Sequence, residues 1–301
     1  MRSTRLARGC VALLLAACST EPAPTGPRFG AASTAAPAPV YVLAIHPLHN
    51  PAKLLAVYQP LVDWLNARLL GGRLTLEASR DYAAFEAKLR ERKAELILPN
   101  PWQALQSMRR GYRVVAMAGE PGDFRGLFVT RRDSPLRRPQ DLKGAAVAYP
   151  SRTALAACIM PQWFLHTHGL DVRADIDNRY VGSQESSILN AHQGLTAVSA
   201  TWPQPWRAFQ RDHPAEAAEL KVIWETEPLI NNAVMIRDDV PAGVVAEVRR
   251  LLLELDQTPE GKAILAGLEI ARFLPAEDAD YEVVRRYVER FEREVRPVDG
   301  P

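Results

Sequence analysis

From position 40 onward the chain alternates between two hydrophobic periods: short apolar runs of strand length, and longer stretches with apolar residues every three or four positions. Residues 40–46 form the first apolar run. Leu54, Tyr58, Leu61, Leu65 and Leu69 then mark one face of a helix predicted over 52–70, with Pro60 expected to kink it. Strands at 73–78 and 95–98 are each followed by a helix, at 81–92 with Asp81 as its cap and at 101–110. Runs at 112–118 and 127–131 add two strands, after which Ser134-Pro135 and Pro139 break the pattern.

A second alternating series then begins. Strands are predicted at 145–149, 179–181 and 196–200, and helices at 153–168, 184–192 and 203–212. Strands at 220–225 and 233–237 precede a helical tail at 241–256, 259–265 and 279–293. Two α/β series, the second inserted ahead of a helical closure, imply two lobes between which the chain crosses twice. The first lobe is expected over 40–131 with 234–301, and the second over 132–233. Sheets of this kind bind ligands beyond the carboxyl ends of their strands, so the expected site is a cleft between the lobes.

The first 39 residues follow neither period. A basic opening through Arg8, an apolar run from Val11 to Ala17, and Leu15-Ala16-Ala17-Cys18 have the form of a lipoprotein export signal. The run is too short to span a bilayer. Cleavage after residue 17 would leave Cys18 to carry acyl chains, each buried CH₂ contributing about 0.8 kcal/mol of membrane affinity. Residues 18–39, rich in Pro, Ala, Ser and Thr, then form a flexible tether. The expected location is the cell envelope, anchored to a membrane and facing the periplasm, and Ser19 leans towards the outer membrane.

Removing the leader changes the charge balance. Of 37 basic residues against 35 acidic ones, Arg2, Arg5 and Arg8 are lost, leaving 34 against 35. That removes the polycation a nucleic-acid partner would need. Apolar residues at 47% and charged residues at 24% exclude a disordered polyampholyte and a multi-span membrane protein. With Cys10 in the leader and Cys18 acylated, Cys158 stands alone and no internal disulfide is expected.

GxSxG, HExxH, Walker A and CxxC patterns are all missing, so neither an enzyme nor a cofactor is expected. His166 and His168 fall on nearly opposite sides of a helix and are poorly placed to share a metal. Cys158, on one face with Leu155 and Ile159, reads as a buried thiol. More informative are two helix starts that follow strands, Tyr149-Pro150-Ser151-Arg152-Thr153 and Gly182-Ser183-Gln184-Glu185-Ser186-Ser187. Each sets hydroxyls beside backbone N–H groups that attract anions. Either Ser151 and Ser183 cap their own helices, or Ser151, Thr153, Ser183 and Ser186 share an oxyanion.

A third cluster, Ala200-Thr201-Trp202-Pro203-Gln204-Pro205-Trp206, puts Thr201 and Trp202 at a strand end, with Pro203 opening a helix. Asn100-Pro101-Trp102 holds the equivalent place in the first lobe, and Tyr82 begins the helix after the second strand. Trp102 and Trp202 are therefore expected to face the cleft from opposite lobes, while Trp206 fits either pocket or core. Glu185 reads as a helix-start carboxylate or as the counter-charge of a ligand ammonium.

Arg131-Arg132-Asp133-Ser134-Pro135, Asp141-Leu142-Lys143-Gly144, Ala148-Tyr149-Pro150-Ser151, the Gly182 to Ser187 segment and Asn231-Asn232 before Val240-Pro241 occur in that order. Together they resemble the PhnD-like family of phosphate, phosphite and phosphonate substrate-binding proteins of ABC transporters, over positions 40–297. The resemblance implies an α/β type II periplasmic-binding fold that closes on a small anionic ligand and delivers it to an ABC permease, as a monomer and without catalysis. The family's hydroxyl run is matched by Ser151 and Thr153, with Arg152 interrupting it. A further polar group is matched by Ser183 to Ser186, and first-lobe aromatics by Tyr82 and Trp102. The Trp-Pro-Gln-Pro-Trp segment departs from a simple phosphonate binder and suggests a ligand larger than bare phosphate. A ligand-sensing lipoprotein that signals to a membrane sensor is the competing use of the same fold.

Overall fold

The structure is a computed structural model and describes residues 38–298. The expected leader and the acylation at Cys18 lie outside the described residues. The first series comprises β1 (Val40–Ile45), α1 (Pro51–Asn66), β2 (Arg73–Glu77), α2 (Tyr82–Arg90), β3 (Leu96–Leu98), α3 (Pro101–Met108) and β4 (Tyr112–Ala118). The second comprises β5 (Leu127–Arg131), β6 (Ala146–Tyr149), α4 (Met160–Thr167), β7 (Asp177–Tyr180), α5 (Gln184–His192), β8 (Val198–Thr201), α6 (Pro203–Asp212), α7 (Pro214–Ala218) and β9 (Leu220–Glu225). The chain closes with β10 (Asn232–Arg237), α8 (Ala242–Glu254), α9 (Pro259–Gly267), β11 (Phe273–Leu274) and α10 (Glu282–Glu294).

Two sheets result. The first has the order β11-β4-β10-β3-β1-β2 and the second β7-β6-β8-β5-β9. In the first, β1 runs parallel to β2 and β3, while β10 enters antiparallel between β3 and β4. In the second, β6 is parallel to β7 and β8, and β5 lies antiparallel between β8 and β9. The parallel strands are those joined through helices, as crossover geometry requires.

One boundary differs from the sequence expectation. The sequence pattern expects residues 127–131 in the first lobe, yet β5 pairs wholly within the second sheet. Leu127 and Val129 on one face of β5 are buried with Ile188, Trp206, Phe209 and Leu220, and Phe128 on the other meets Phe164 and Trp224. A strand's alternation marks two faces but not the sheet it joins. The crossings are therefore the segments between β4 and β5 and between β9 and β10.

Both crossings are held together. Asn231 Nδ2 donates to the Glu120 carbonyl at 2.9 Å, Leu229 N–H to the Phe124 carbonyl at 2.9 Å, and Tyr281 O–H to the Asn231 carbonyl at 2.8 Å. Gly119 has φ +95°, and a Cβ there would lie 2.9 Å from Asn231 Nδ2. Only glycine serves at that close approach.

Helix starts follow the local chemistry. Asn50 caps α1 through Lys53 N–H, Asp81 caps α2 through Ala84 N–H, and Asn100 with Gln103 forms a capping box on α3. Helix α1 continues past Pro60, which sits in its interior. The helix predicted over 153–168 begins differently, with a π turn at Leu155–Ile159, closed by Ile159 N–H on the Ala154 carbonyl at 3.1 Å, that runs into α4. Its capping position, Ala154, has no side chain able to bond the first turn.

Candidate ligand-binding site

The uncapped start at Leu155 opens onto a small cavity at the meeting of the two sheets. Ala154, Leu155, Ala156 and Ala157 form one wall, joined by His46, Tyr82, Asn100, Phe124, Gln184, Trp202 and Asn232. His46 follows β1, Asn100 follows β3 and Trp202 follows β8, all at the carboxyl ends of parallel strands. Phe124 lies in the first crossing, and Asn232 begins the strand after the second. The free volume is about 10 Å³, room for about one water molecule.

Among the described residues no Asp, Glu, Lys or Arg lines this cavity. Its polarity comes from oriented neutral groups. Thr201 Oγ1 donates to Gln184 Oε1 at 3.1 Å, and Gln184 Nε2 donates to the Tyr82 hydroxyl at 3.2 Å, so a three-residue chain bridges the lobes. Ser187 Oγ, 2.8 Å from the Ala200 carbonyl and 3.1 Å from that of Ala148, holds the start of α5 against β8 and β6. Trp202 packs on Phe124 with ring centroids 5.3 Å apart. His46 Nδ1 donates to the Leu98 carbonyl at 3.0 Å, and burial pushes the imidazole pKa down to about 4, so the ring is neutral at physiological pH. Burial likewise raises the Tyr82 hydroxyl above its ordinary value and keeps its proton in place. Asn232 is buried, and its Oδ1 has no hydrogen-bond partner. The first N–H groups of the uncapped helix, with the positive end of its dipole, complete the wall.

The residues singled out from sequence divide between this cavity and its surroundings. Tyr82 and Trp202 line it, and Thr201, fully buried, supports it through Gln184. Ser151 and Thr153 instead line an adjoining open groove of about 390 Å³ with Asp81, Glu86, Arg152 and Tyr180. Thr153 Oγ1 donates to Glu86 Oε1 at 2.6 Å, its carbonyl accepts from Asn100 Nδ2 at 3.1 Å, and Ser151 Oγ lies 3.0 Å from Thr153 Oγ1. These hydroxyls tie one lobe to the other, and their hydrogen bonds to each other and to Glu86 already occupy them. Ser183 accepts from Ser186 N–H at 3.1 Å and donates to Ser186 Oγ at 2.9 Å, so this pair caps α5.

One further expectation changes, and two open alternatives resolve. Trp102, expected at the cleft, lies in a separate first-lobe cavity with Glu86, Leu89 and Arg90, because the second position of α3 turns its side chain towards α2. Glu185, offered as a counter-charge, sits 3.1 Å from His213 Nε2, outside the cavity. Trp206 stacks on Phe209 in the second-lobe core. Arg152 lies over the Tyr180 ring at 5.6 Å. Cys158 is buried, its thiol pushed up to about 11 by burial, and accepts from Arg296 Nη2 at 3.5 Å. Among the described residues no cluster of His, Cys, Asp and Glu could hold a metal ion.

His46, Asn100, Gln184 and Asn232 were not picked out as ligand residues. Three of them stand inside segments that sequence reasoning quoted, Asn100 before Trp102, Gln184 after Ser183, and Asn232 after Asn231. His46 carried one usable signal, its place at the end of the first strand.

Two α/β sheets, two linked crossings and a cavity at the strand ends define a type II periplasmic binding protein, the fold shared with the structural relatives. The family model described as ABC transporter, phosphonate, periplasmic substrate-binding protein matches residues 43–281, and the chain belongs to that family. The phosphonates-binding periplasmic protein of Escherichia coli is 20% identical over 226 residues, 72% of this chain and 67% of the relative. A binding protein component of the ABC phosphonate transporter from Pseudomonas aeruginosa superposes with a TM-score of 0.78 at 16% identity, over 85% of this chain and 87% of that one. PhnD1 from Prochlorococcus marinus, solved in complex with methylphosphonate, gives 0.77 at 18% identity, over 84% and 98%.

Proposed function

We propose that the chain is the lipid-anchored receptor of an ABC importer and captures a small phosphonate-type anion in the interlobe cavity for an ABC permease. The observation that carries this reading is the uncapped helix start at Leu155, aimed into a cavity whose other groups are neutral. An anion there gains backbone donors and a helix dipole without the cost of burying a partner charge. The cavity is too small to admit a phosphonate with the lobes as they stand, so entry requires them to part. The Gln184–Tyr82, Asn100–Thr153 and Thr153–Glu86 hydrogen bonds that join the lobes here must open for entry, and a ligand seated between the lobes then replaces part of them with its own contacts to both sides, which favours the closed state.

Calorimetry and thermal shift with methylphosphonate, phosphite, phosphate and a quaternary amine test the reading. Binding of at least one phosphorus oxyanion with a raised melting temperature is expected. A flat response to all of them, or a response to the amine alone, would refute it. The anchor is tested separately: Cys18→Ala should move the protein from the membrane fraction to the soluble periplasm. Retention in the membrane fraction would remove that part of the proposal.

A further inference from the structure

The donors and acceptors around the cavity do not balance, and the imbalance bears on which anion fits. Asn100 is occupied at both ends of its amide: Oδ1 takes Gln103 N–H at 3.1 Å, and Nδ2 gives to the Thr153 carbonyl at 3.1 Å. Gln184 is engaged at both ends by Thr201 and Tyr82. Tyr82 receives the Gln184 bond and keeps its own proton to give. That hydroxyl and the N–H groups of the uncapped helix are donors, and any oxyanion satisfies donors. The acceptors are the difficulty. Asn232 is only 2% exposed, lines the cavity, and its Oδ1 has no partner. His46 spends its Nδ1 proton on the Leu98 carbonyl, which leaves the opposite nitrogen, Nε2, as a lone pair. No cation lines the cavity to soften either acceptor.

We propose that the cavity selects its anion by a proton on the anion: it takes the singly protonated form of a phosphonate or phosphite and turns away sulfonates, which match in shape but carry no proton at neutral pH. This rests on the reading of the cavity as a phosphonate site and states what that site discriminates. A fully deprotonated tetrahedral head offers only oxygen lone pairs. Against Asn232 Oδ1 it sets acceptor to acceptor, and a buried acceptor without a donor costs about 1–3 kcal/mol. A P–OH group supplies the missing donor. Rejection of the wrong ligand by an unsatisfied polar group is the cheapest route to discrimination between isosteres.

His46, His49, Tyr82 and Cys158, the perturbed groups closest to the cavity, titrate outside the pH range in which this would act. His46 faces Tyr82, at 6.4 Å between ring centroids, and His49 feels His46 together with Lys53, Asp212 and Arg211. Tyr82 feels Glu86 and Cys158. Burial holds His46 and His49 neutral, at about 4 and about 3, and the Cys158 thiol protonated, at about 11.

The test is calorimetric titration of the mature protein with methylphosphonate, phosphite and methanesulfonate from about pH 5.5 to about pH 9. The second ionisations of the first two ligands differ. Each affinity should fall by about tenfold per pH unit above that ligand's own second ionisation, so the two curves bend at different pH. Methanesulfonate should bind roughly 10- to 100-fold more weakly than methylphosphonate at pH 6. Curves bending at one common pH, affinity independent of pH, or equal binding of methanesulfonate would overturn the proposal while leaving the phosphonate reading in place. No binding of methylphosphonate or phosphite at any pH would overturn this proposal and, with phosphate silent as well, the phosphonate reading too. Asn232→Leu, which removes the orphan acceptor, should narrow the preference over methanesulfonate to about threefold or less. An unchanged preference in the folded variant would also overturn the proposal.

Discussion

Two helices of the second lobe start at the carboxyl ends of neighbouring strands, and a side chain covers the first turn of only one. At α5, Ser183 accepts from Ser186 N–H, and the hydroxyl pair satisfies the turn locally. At the π turn leading into α4, the methyl of Ala154 makes no capping hydrogen bond, and Ala154 and the residues that follow line the interlobe cavity. Hydroxyls at a helix start signal self-sufficiency as readily as ligand binding, because the oxygen that could meet a ligand is the one that caps the helix. The start that is free to bind is the one with the least conspicuous sequence, Ala154-Leu155-Ala156-Ala157.

The largest effect should come from adding charge to the cavity wall that faces the uncapped start. Gln184→Glu keeps the size of the side chain but places a carboxylate in the cavity wall. Like charges about 4 Å apart at an effective dielectric near 20 repel by about 4 kcal/mol, so phosphonate affinity should fall by up to about 1000-fold in calorimetry. A Gln184→Glu protein that binds normally would place the anion elsewhere, in the open groove of Ser151 and Thr153.

A second effect follows from the histidines buried next to the cavity. The unfolded chain titrates His46 and His49 near 6.5, whereas the folded protein holds them at about 4 and about 3. As pH falls below 6.5 the unfolded state takes up protons that the folded state refuses, so stability is lost downward from there. Between pH 6 and pH 5 each histidine contributes a little over about 1 kcal/mol, which together makes about 2 kcal/mol. Urea denaturation at the two pH values measures it, and His46→Gln should remove about half of the difference. Equal midpoints would mean that the imidazoles near the cavity are solvated.

The smallest effect should come from the capped side. Ser183→Ala should lower stability by about 1 kcal/mol in chemical denaturation and leave ligand affinity within about twofold, and Ser151→Ala should also leave affinity within about twofold. A tenfold loss of affinity in either variant would erase the contrast between the two helix starts.

The sequence by itself determined the order of the main strands and helices, the presence of two α/β series and the cap at Asp81, because these depend on residues within four positions of one another, whereas it left Ser183 open between cap and ligand donor. The quoted segments also carried the family resemblance. Tertiary structure alone decided that β5 joins the second sheet, that Trp102 turns away from the cleft, and that Thr153 is spent on Glu86. It alone brought His46, Asn100, Gln184 and Asn232 to one cavity, across separations of tens of residues and two chain crossings. A cap is made within one turn and leaves its mark in sequence. A ligand cavity is made from groups left without local partners, and which groups those are is settled only when the lobes meet.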